Sequence, residues 1–274
     1  MDKNKLLELK KKASEARRLL IKMLTEAGSG HTAGPLGMAD IFVSLYFHLL
    51  KHNPKDPLWK DRDRLVLSNG HICPIQYTCL AMANYFPIEE LKTLRKINSR
   101  LQGHPHRNSL PGIETTSGPL GEGLSQAIGV TLAGILDKKN YRTYCIASDG
   151  EHQEGNHWEA VMFAGKNKLN NLTMIVDRNN IQITGNTENV MPLEPLKEKY
   201  ITFNWSVFEI DGNNIEEIIN TLENIQNHID KPLAIIAKTI PGKGVSFMEN
   251  DYLWHGKAPN KEEANQALKE LADQ

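Results

Sequence analysis

The sequence predicts an α/β fold, with a mostly parallel central sheet flanked by helices. Three observations predict it. Two short apolar runs, Tyr144-Cys145-Ile146-Ala147 and Leu172-Thr173-Met174-Ile175-Val176, enclose a helix-like segment and so read as a βαβ unit. A second pair, Trp205-Ser206-Val207-Phe208-Glu209-Ile210 and Leu233-Ala234-Ile235-Ile236-Ala237, brackets another helix-like segment from 214 to 229. The runs of the first pair give way to polar, turn-forming residues, Ser148-Asp149-Gly150 and Asp177-Arg178-Asn179-Asn180-Ile181. In a parallel sheet such carboxyl ends face one crevice, the place where open α/β sheets bind ligands.

The elements follow in order. Residues 5 to 27 place Leu6, Leu9, Ala13, Ala16, Leu20, Met23 and Leu24 at helical spacing, and Gly28 supplies the stop. Ser29 to Pro35 reads as a loop, and Ile41, Phe42, Leu45, Tyr46 and Leu49 as a second helix ending near the turn-rich 53–57. Arg64-Leu65-Val66-Leu67 is a first short strand, with Ser68-Asn69-Gly70-His71 emerging from its carboxyl end. Helices around 75–85 and 88–97 precede Gln102-Gly103-His104-Pro105 and the glycine-rich Ser117-Gly118-Pro119-Leu120-Gly121-Glu122-Gly123, where Gly121 to Gly123 open a small-residue helix. The strands bring the sheet to about five, and residues 261–272 close the chain as a helix.

At 274 residues the chain can bury a full core, and a single domain spanning 1–274 is expected. A net charge of −1 gives no field for nucleic acid or for an anionic membrane, so small ligands or a protein partner are the expected company. The charged start Met1-Asp2-Lys3-Asn4-Lys5 has no apolar leader, and no run is long enough to span a bilayer, so a cytoplasmic location is expected. Cys73, Cys79 and Cys145 form no Cys-x-x-Cys pair and read as reduced bystanders. Two glycine motifs are set aside. Gly121-Glu122-Gly123 has Gln126 where a dinucleotide fingerprint needs its third glycine, and Pro241-Gly242-Lys243-Gly244 lacks P-loop spacing.

Asp149 and Asn179 would meet at the ends of their strands. A carboxylate, an amide oxygen and a free carbonyl suit a hard cation such as Mg²⁺, which completes its shell with water and phosphate oxygens. Each residue also has an ordinary reading: Asp149 as a helix N-cap, Asn179 as a turn former, Glu154 as a solvated first-turn carboxylate, and any one histidine as a solvated side chain. Only their combination carries weight.

Together, Ser29-Gly30-His31, Ser68-Asn69-Gly70-His71, Gly103-His104-Pro105, Gly118 to Gly123, the Asp149/Asn179 pair and His255-Gly256-Lys257-Ala258-Pro259 resemble the transketolase family in order and spacing. Ser148 stands where the family's motif usually has its first glycine. The resemblance runs from about residue 10 to 260 and covers only the amino-terminal, diphosphate-binding half. It implies a three-layer thiamine diphosphate-binding fold with thiamine diphosphate and Mg²⁺ as cofactors. Asp149, Asn179 and the Ile181 carbonyl would hold the metal, while Gly150 and a helix opening after it would approach the diphosphate, with His71 beside it. Gly118 and Leu120 would lie near the cofactor rings. His31, His71, His104 and His255 would contact the ketose hydroxyls and move protons, for which imidazole's ordinary pKa of about 6.5 suits them. Glu154 would meet its counterpart across a subunit interface.

The resemblance further implies a split enzyme that transfers a two-carbon ketol unit between sugar phosphates only when joined by the carboxyl-terminal half of a transketolase on a second chain. Two copies of each chain are expected to form a heterotetramer, with an exposed apolar face around Gly118-Pro119-Leu120 and the following helix as its interface. The cofactor-binding subunit of a 2-oxo acid dehydrogenase and deoxyxylulose-phosphate synthase are related alternatives, against which the histidine set and Gly103-His104-Pro105 argue. A non-catalytic regulatory homologue is the remaining one. His106, His152 and His157 receive no role.

Overall fold

A computed structural model describes residues 1–225 and 230–272. Helix α1 (Lys3–Ala27) ends as the sequence requires, at Gly28, whose left-handed φ of 64° lets its N–H reach the carbonyls of Leu24 and Thr25. Two short helices follow, α2 (Ala33–Gly37) and α3 (Ala39–Ser44), the second continued by a π-turn over Leu45–Leu49. The expected loop at 29–35 is therefore shorter than the sequence suggests. Its small residues Ala33 and Gly34 and its Pro35 are fully buried, and packing carries them into a helix that their local propensity does not announce. After β1 (Arg64–Leu67) comes α4 (Cys73–Met82). The helix expected at 88–97 is only a 3-10 segment, Ile88–Thr93. Only Leu91 is buried within it, too little apolar surface to fix a longer helix.

The helix expected to open at Gly121 starts at Gly123 and forms α5 (Gly123–Leu136). Then come β2 (Thr143–Ser148), α6 (Gly155–Lys166) and β3 (Leu172–Arg178). A small hairpin of β4 (Ile181–Gln182) and β5 (Gly185–Asn186), with α7 (Thr187–Val190) and α8 (Leu196–Thr202), has no clear periodicity in the sequence. β6 (Ser206–Asp211), α9 (Ile215–Ile225) and β7 (Leu233–Lys238) match the second strand pair, and residues 226–229 of the expected helix lie outside the described residues. The last helix, α10 (Lys261–Glu270), opens with a capping box in which Asn260 accepts from the Glu263 N–H and Glu263 reaches back to the Asn260 N–H.

The main sheet has five strands, all parallel, in the order β1-β2-β3-β7-β6. Both faces are covered, and side-chain alternation sorts the residues between two cores. Leu65, Leu67, Tyr144, Ile146, Ile175 and Ile235 pack with Leu20, Phe42, Ile75 and Ile218 of α1, α3, α4 and α9. Val66, Cys145, Ala147, Met174, Val176 and Ile236 face Leu124, Ala127, Val161 and Ala164 of α5 and α6. Gly165 permits the close seat of α6, because a Cβ there would sit 1.8 Å from the Phe203 carbonyl oxygen. Cys73, Cys79 and Cys145 are all free and buried. No helix among the described residues is long and apolar enough to cross a membrane.

Candidate active site

The parallel register sets Ser148 of β2 beside Asp177 of β3, and the Asp149 N–H continues the ladder to the Asp177 carbonyl at 3.1 Å. Asp149 is fully buried at that strand end. Its Oδ1 accepts from the Gly150 N–H at 2.7 Å, and its Oδ2 from the Asn180 N–H at 2.7 Å and from Arg178 Nη1 at 3.0 Å. Burial pushes the Asp149 carboxyl up from its ordinary value and Arg178 opposes this, but all three partners are donors, so the carboxylate form is the one held. Asn179 is fixed in turn. Its Nδ2 donates to Asp177 Oδ2 at 2.9 Å and its Oδ1 accepts from the Ile181 N–H at 3.0 Å. Asn180 takes a left-handed φ of 63°, turning the chain so that its N–H meets Asp149. Burial pushes Asp177 itself to about 7, with Thr239 and Asn179 donating to its oxygens.

The two expected metal-ligand segments are therefore joined across the strand ends. Three donors leave Asp149 about one of its four lone-pair sites, and Asn179 Oδ1 keeps another. Among the described residues there is no cluster of three His, Cys, Asp or Glu side chains suited to a metal. A set with one carboxylate, one amide oxygen and a carbonyl fits a hard cation that draws its remaining oxygens from an anionic ligand. Gly150 leaves room for such a ligand, since a Cβ built there would come no closer than 3.5 Å to any other side chain. One expectation needs correction. The helix after Gly150 begins only at Gly155, because Gly150–Gln153 form a 3-10 turn whose first N–H caps Asp149.

Above this end lies a cleft of about 460 Å³. Gly118, Leu120, Gly150 and Ile181 line it, as do Glu154 and the four singled-out histidines. His31 precedes α2, His71 lies in a 3-10 turn after β1, His104 in a loop, and His255 closes the 3-10 turn Tyr252–Trp254. The rings of His31, His71 and His255 form a triangle with centroids 4.8, 5.2 and 5.4 Å apart. Loop-to-loop bonds hold them there. Thr32 Oγ1 donates to the Lys257 carbonyl at 2.6 Å, the Gly242 N–H to the Ala33 carbonyl at 2.8 Å, and Tyr77 Oη to the Gln102 carbonyl at 3.0 Å. His104 is more exposed, at the mouth, its ring against Gly118.

Burial lowers His31 to about 4, helped by His255, Arg95 and His104 nearby. Burial holds His71 well below the usual histidine range, with His31 and His255 adding to it, and burial lowers His255 and His104 as well. Burial thus favours the neutral form of all three rings of the triangle. His255 Nδ1 is buried without a hydrogen-bond partner.

Sequence reasoning misses the group that holds this wall together. Glu151, fully buried, accepts from Ser68 Oγ, from the Gly121 N–H at 2.6 Å and from the Ser148 N–H at 3.1 Å. Ser68 Oγ then accepts from the Gly123 N–H at 3.0 Å. One carboxylate so ties the end of β1, the end of β2 and the glycine-rich loop. Burial raises its pKa, while Ser68 and the two backbone N–H groups act against that. Gly121, at φ 82°, admits no side chain, since a Cβ would meet Asn156 Oδ1 at 2.2 Å and Glu154 Cβ at 2.8 Å. Glu154 is exposed at the rim beside this loop. The only sequence signal for Glu151 is its place directly after Asp149-Gly150 in the strand-end motif.

His152 and His157, to which the sequence assigns no role, form a buried chain beside the end of β2. His152 Nδ1 lies 2.8 Å from the Ser148 carbonyl, and both Nε2 atoms reach Tyr200 Oη, at 2.8 and 2.9 Å. A carbonyl partner fixes the proton of His152 on Nδ1, so Tyr200 donates to His152 and accepts from His157. That arrangement is structural, and burial lowers His152 to about 4.

With this geometry in place, comparisons with known proteins are informative. Residues 9–272 match the family described as "Transketolase, thiamine diphosphate binding domain". The chain is 40% identical over 265 residues to the 6-deoxy-6-sulfo-D-fructose transketolase subunit of Clostridium sp. (strain MSTE9), covering 97% of this chain and 96% of that one. It is 39% identical over 268 residues to an apulose-4-phosphate transketolase subunit of Actinobacillus succinogenes, with 97% of each covered. The solved transketolase of Campylobacter jejuni superposes with a TM-score of 0.90 at 36% identity, over 97% of this chain but only 43% of that one. The chain belongs to the transketolase family, as a thiamine diphosphate-binding domain of that family.

Proposed function

We propose that this chain is the amino-terminal subunit of a split transketolase, and that with a carboxyl-terminal subunit it moves a two-carbon ketol unit from a ketose phosphate to an aldose phosphate. One observation carries the reading: a single cleft is lined both by Ser148, Gly150 and Ile181, which flank the buried Asp149/Asn179 turn, and by the ring-adjacent histidines. Thiamine diphosphate, when bound, supplies a centre that stabilises a carbanion. Asp149, Asn179 and the Ile181 carbonyl are the residues for Mg²⁺, and Gly150 leaves space for the diphosphate. Gly118 and Leu120 line the wall nearest the rings.

The histidines are the groups for proton handling at the substrate's hydroxyls. A neutral imidazole offers one donor and one acceptor, so two or three adjacent rings can hold a polyhydroxylated chain and hand protons along it. Lowered pKa values make each ring, once protonated, a ready acid that returns its proton.

The partner surface is read from the far side of α5 and α6. Ile135, Leu136, Met162 and Phe163 are exposed there by 45 to 81%, and Leu132 and Phe163 line a groove between the helices. A patch of this kind marks an interface. A cytoplasmic heterotetramer of two copies of each chain, with Glu154 near the twofold contact, would bury it in the obligate size class above roughly 2,000 Å². The test is calorimetric titration of thiamine diphosphate with Mg²⁺ into the chain, then a ketol-transfer assay with and without a coexpressed carboxyl-terminal subunit. Binding alone and turnover only with the partner is the expected result. Full turnover by the lone chain would refute the split reading, and no cofactor uptake in either state would refute the cofactor reading.

A further inference from the structure

Arg178 has no part in the chemistry proposed so far. It stands between Asp177 and Asn179, its side chain is 5% exposed, and its guanidinium meets three carboxylates at once. Nη1 donates to Asp149 Oδ2 at 3.0 Å, Nη2 to Glu188 Oε1 at 2.5 Å and to Glu194 Oε1 at 3.0 Å, and Nε to Glu194 Oε1 at 3.3 Å. The two glutamates belong to the excursion that leaves β3 and supplies Ile181 to Thr184 to the cleft wall. Each is also tied to its own backbone, Glu188 accepting from the Leu193 N–H at 3.1 Å and Glu194 from the Leu196 N–H at 2.8 Å. Their side chains are 36% and 58% exposed, so their carboxylates reach inward from solvent to a buried cation.

The charge count is informative. A guanidinium paired with Asp149 alone would cancel the one carboxylate offered to a divalent cation and repel the cation as well. Here three of its four hydrogen bonds go to Glu188 and Glu194, and the four side chains together carry a net charge of −2. That balance leaves Asp149 anionic toward a cation of charge +2. Outer carboxylates that orient or tune a ligand commonly matter to metal affinity almost as much as the ligands.

We propose that Arg178, Glu188 and Glu194 form a positioning latch, which pins residues 181–195 as the cleft wall and keeps Asp149 available to the divalent cation by drawing the guanidinium's charge onto the two glutamates. The proposal rests on the cofactor reading of Asp149. Its distinguishing mark is a pair of effects of unequal size. The double variant Glu188→Gln/Glu194→Gln leaves Arg178 to pair with Asp149 alone and should weaken Mn²⁺ binding, measured with thiamine diphosphate present, by about tenfold or more. Arg178→Gln releases the wall but also removes the competing cation, so its Mn²⁺ affinity should fall clearly less than that of the double variant. Both variants release the wall, so amide hydrogen exchange should accelerate over 181–195 and stay unchanged in β2 and β7.

The experiment is Mn²⁺ titration by calorimetry together with hydrogen exchange on the full chain and the two variants. Equal weakening of Mn²⁺ binding by both variants would reduce the cluster to an ordinary structural clamp and overturn the tuning. Unchanged exchange over 181–195 would overturn the latch. A wild-type chain that takes up no Mn²⁺ with thiamine diphosphate would instead refute the cofactor reading, and the exchange measurement on the free chain would still judge the latch by itself.

Discussion

Replacing Glu151 by Gln is the sharpest probe of how the cleft wall is built. The carboxylate accepts three hydrogen bonds, two on Oε1 from Ser68 Oγ and the Gly121 N–H and one on Oε2 from the Ser148 N–H. An amide has one oxygen. If glutamine keeps it toward Ser68 and Gly121, its NH₂ faces the Ser148 N–H, leaving a buried donor unsatisfied at about 1–3 kcal/mol. The two retained bonds change from charge-assisted to neutral and lose about 1 kcal/mol each. Relief of the carboxylate's burial returns about 1–2 kcal/mol, so the net loss should be about 1–4 kcal/mol. Urea unfolding of the chain measures it, and cofactor titration should show affinity reduced on the order of tenfold as the glycine-rich loop loosens. The control is Glu90→Gln, which breaks only an exposed pair with Arg100 and should cost about 0.5 kcal/mol. A Glu151→Gln chain as stable as that control, with unchanged cofactor affinity, would refute the clamp.

Other outcomes follow from the same geometry. Asp149→Ala and Asn179→Ala should each abolish Mg²⁺-dependent retention of thiamine diphosphate while the far-ultraviolet circular dichroism stays native; retention at wild-type affinity would remove either residue from the metal set. His255→Ala, in the paired enzyme, should lower kcat by about a hundredfold with cofactor affinity preserved, and equal loss of both would mark it as structural. For pH, His152 titrates near 4 in the folded chain against an ordinary 6.5, so the unfolded chain takes its proton first. Its contribution is full above about 6.5 and drains as pH falls toward 4, at up to about 1.4 kcal/mol per pH unit. Stability of His152→Gln should therefore depend less steeply on pH between 7 and 5 than that of the wild type, and equal slopes would defeat this assignment.

How far the molecule is legible in its sequence follows the range of the interactions that specify it. Runs such as residues 172–176 of β3 announce themselves because both faces are buried and every position there is apolar or compact. Helix ends at Gly28 and Asn260 are local events, decided by a left-handed glycine and a capping side chain. The short helix Ala33–Gly37 and the missing helix after Ile88 escape a sequence reading because burial against distant elements, rather than local propensity, decides them. Asp149 and Asn179 are legible because strand ends converge by topology. Glu151 and Arg178 stand within the same motifs yet show no role there, since their partners Ser68, Gly121, Glu188 and Glu194 come from other segments and carry no shared signal.

The two ends of the cleft are built in different ways, and the difference bears on function. At one end, Asp149 and Asn179 follow the ends of central strands beside the cleft-lining Gly150 and Ile181 and are held by backbone N–H groups within 3.0 Å, which gives the proposed diphosphate site little freedom to move. Above it, all four histidines come from loops or single turns far apart in sequence, registered by cross-ties such as Thr32 to Lys257 and Tyr77 to Gln102. Loops so tied can shift slightly without disturbing the sheet. Under the proposed function, a site that fixes one cofactor yet accepts a donor ketose, releases an aldose and admits a second aldose needs that division: rigid where the anion is held, adjustable where sugar hydroxyls change partners.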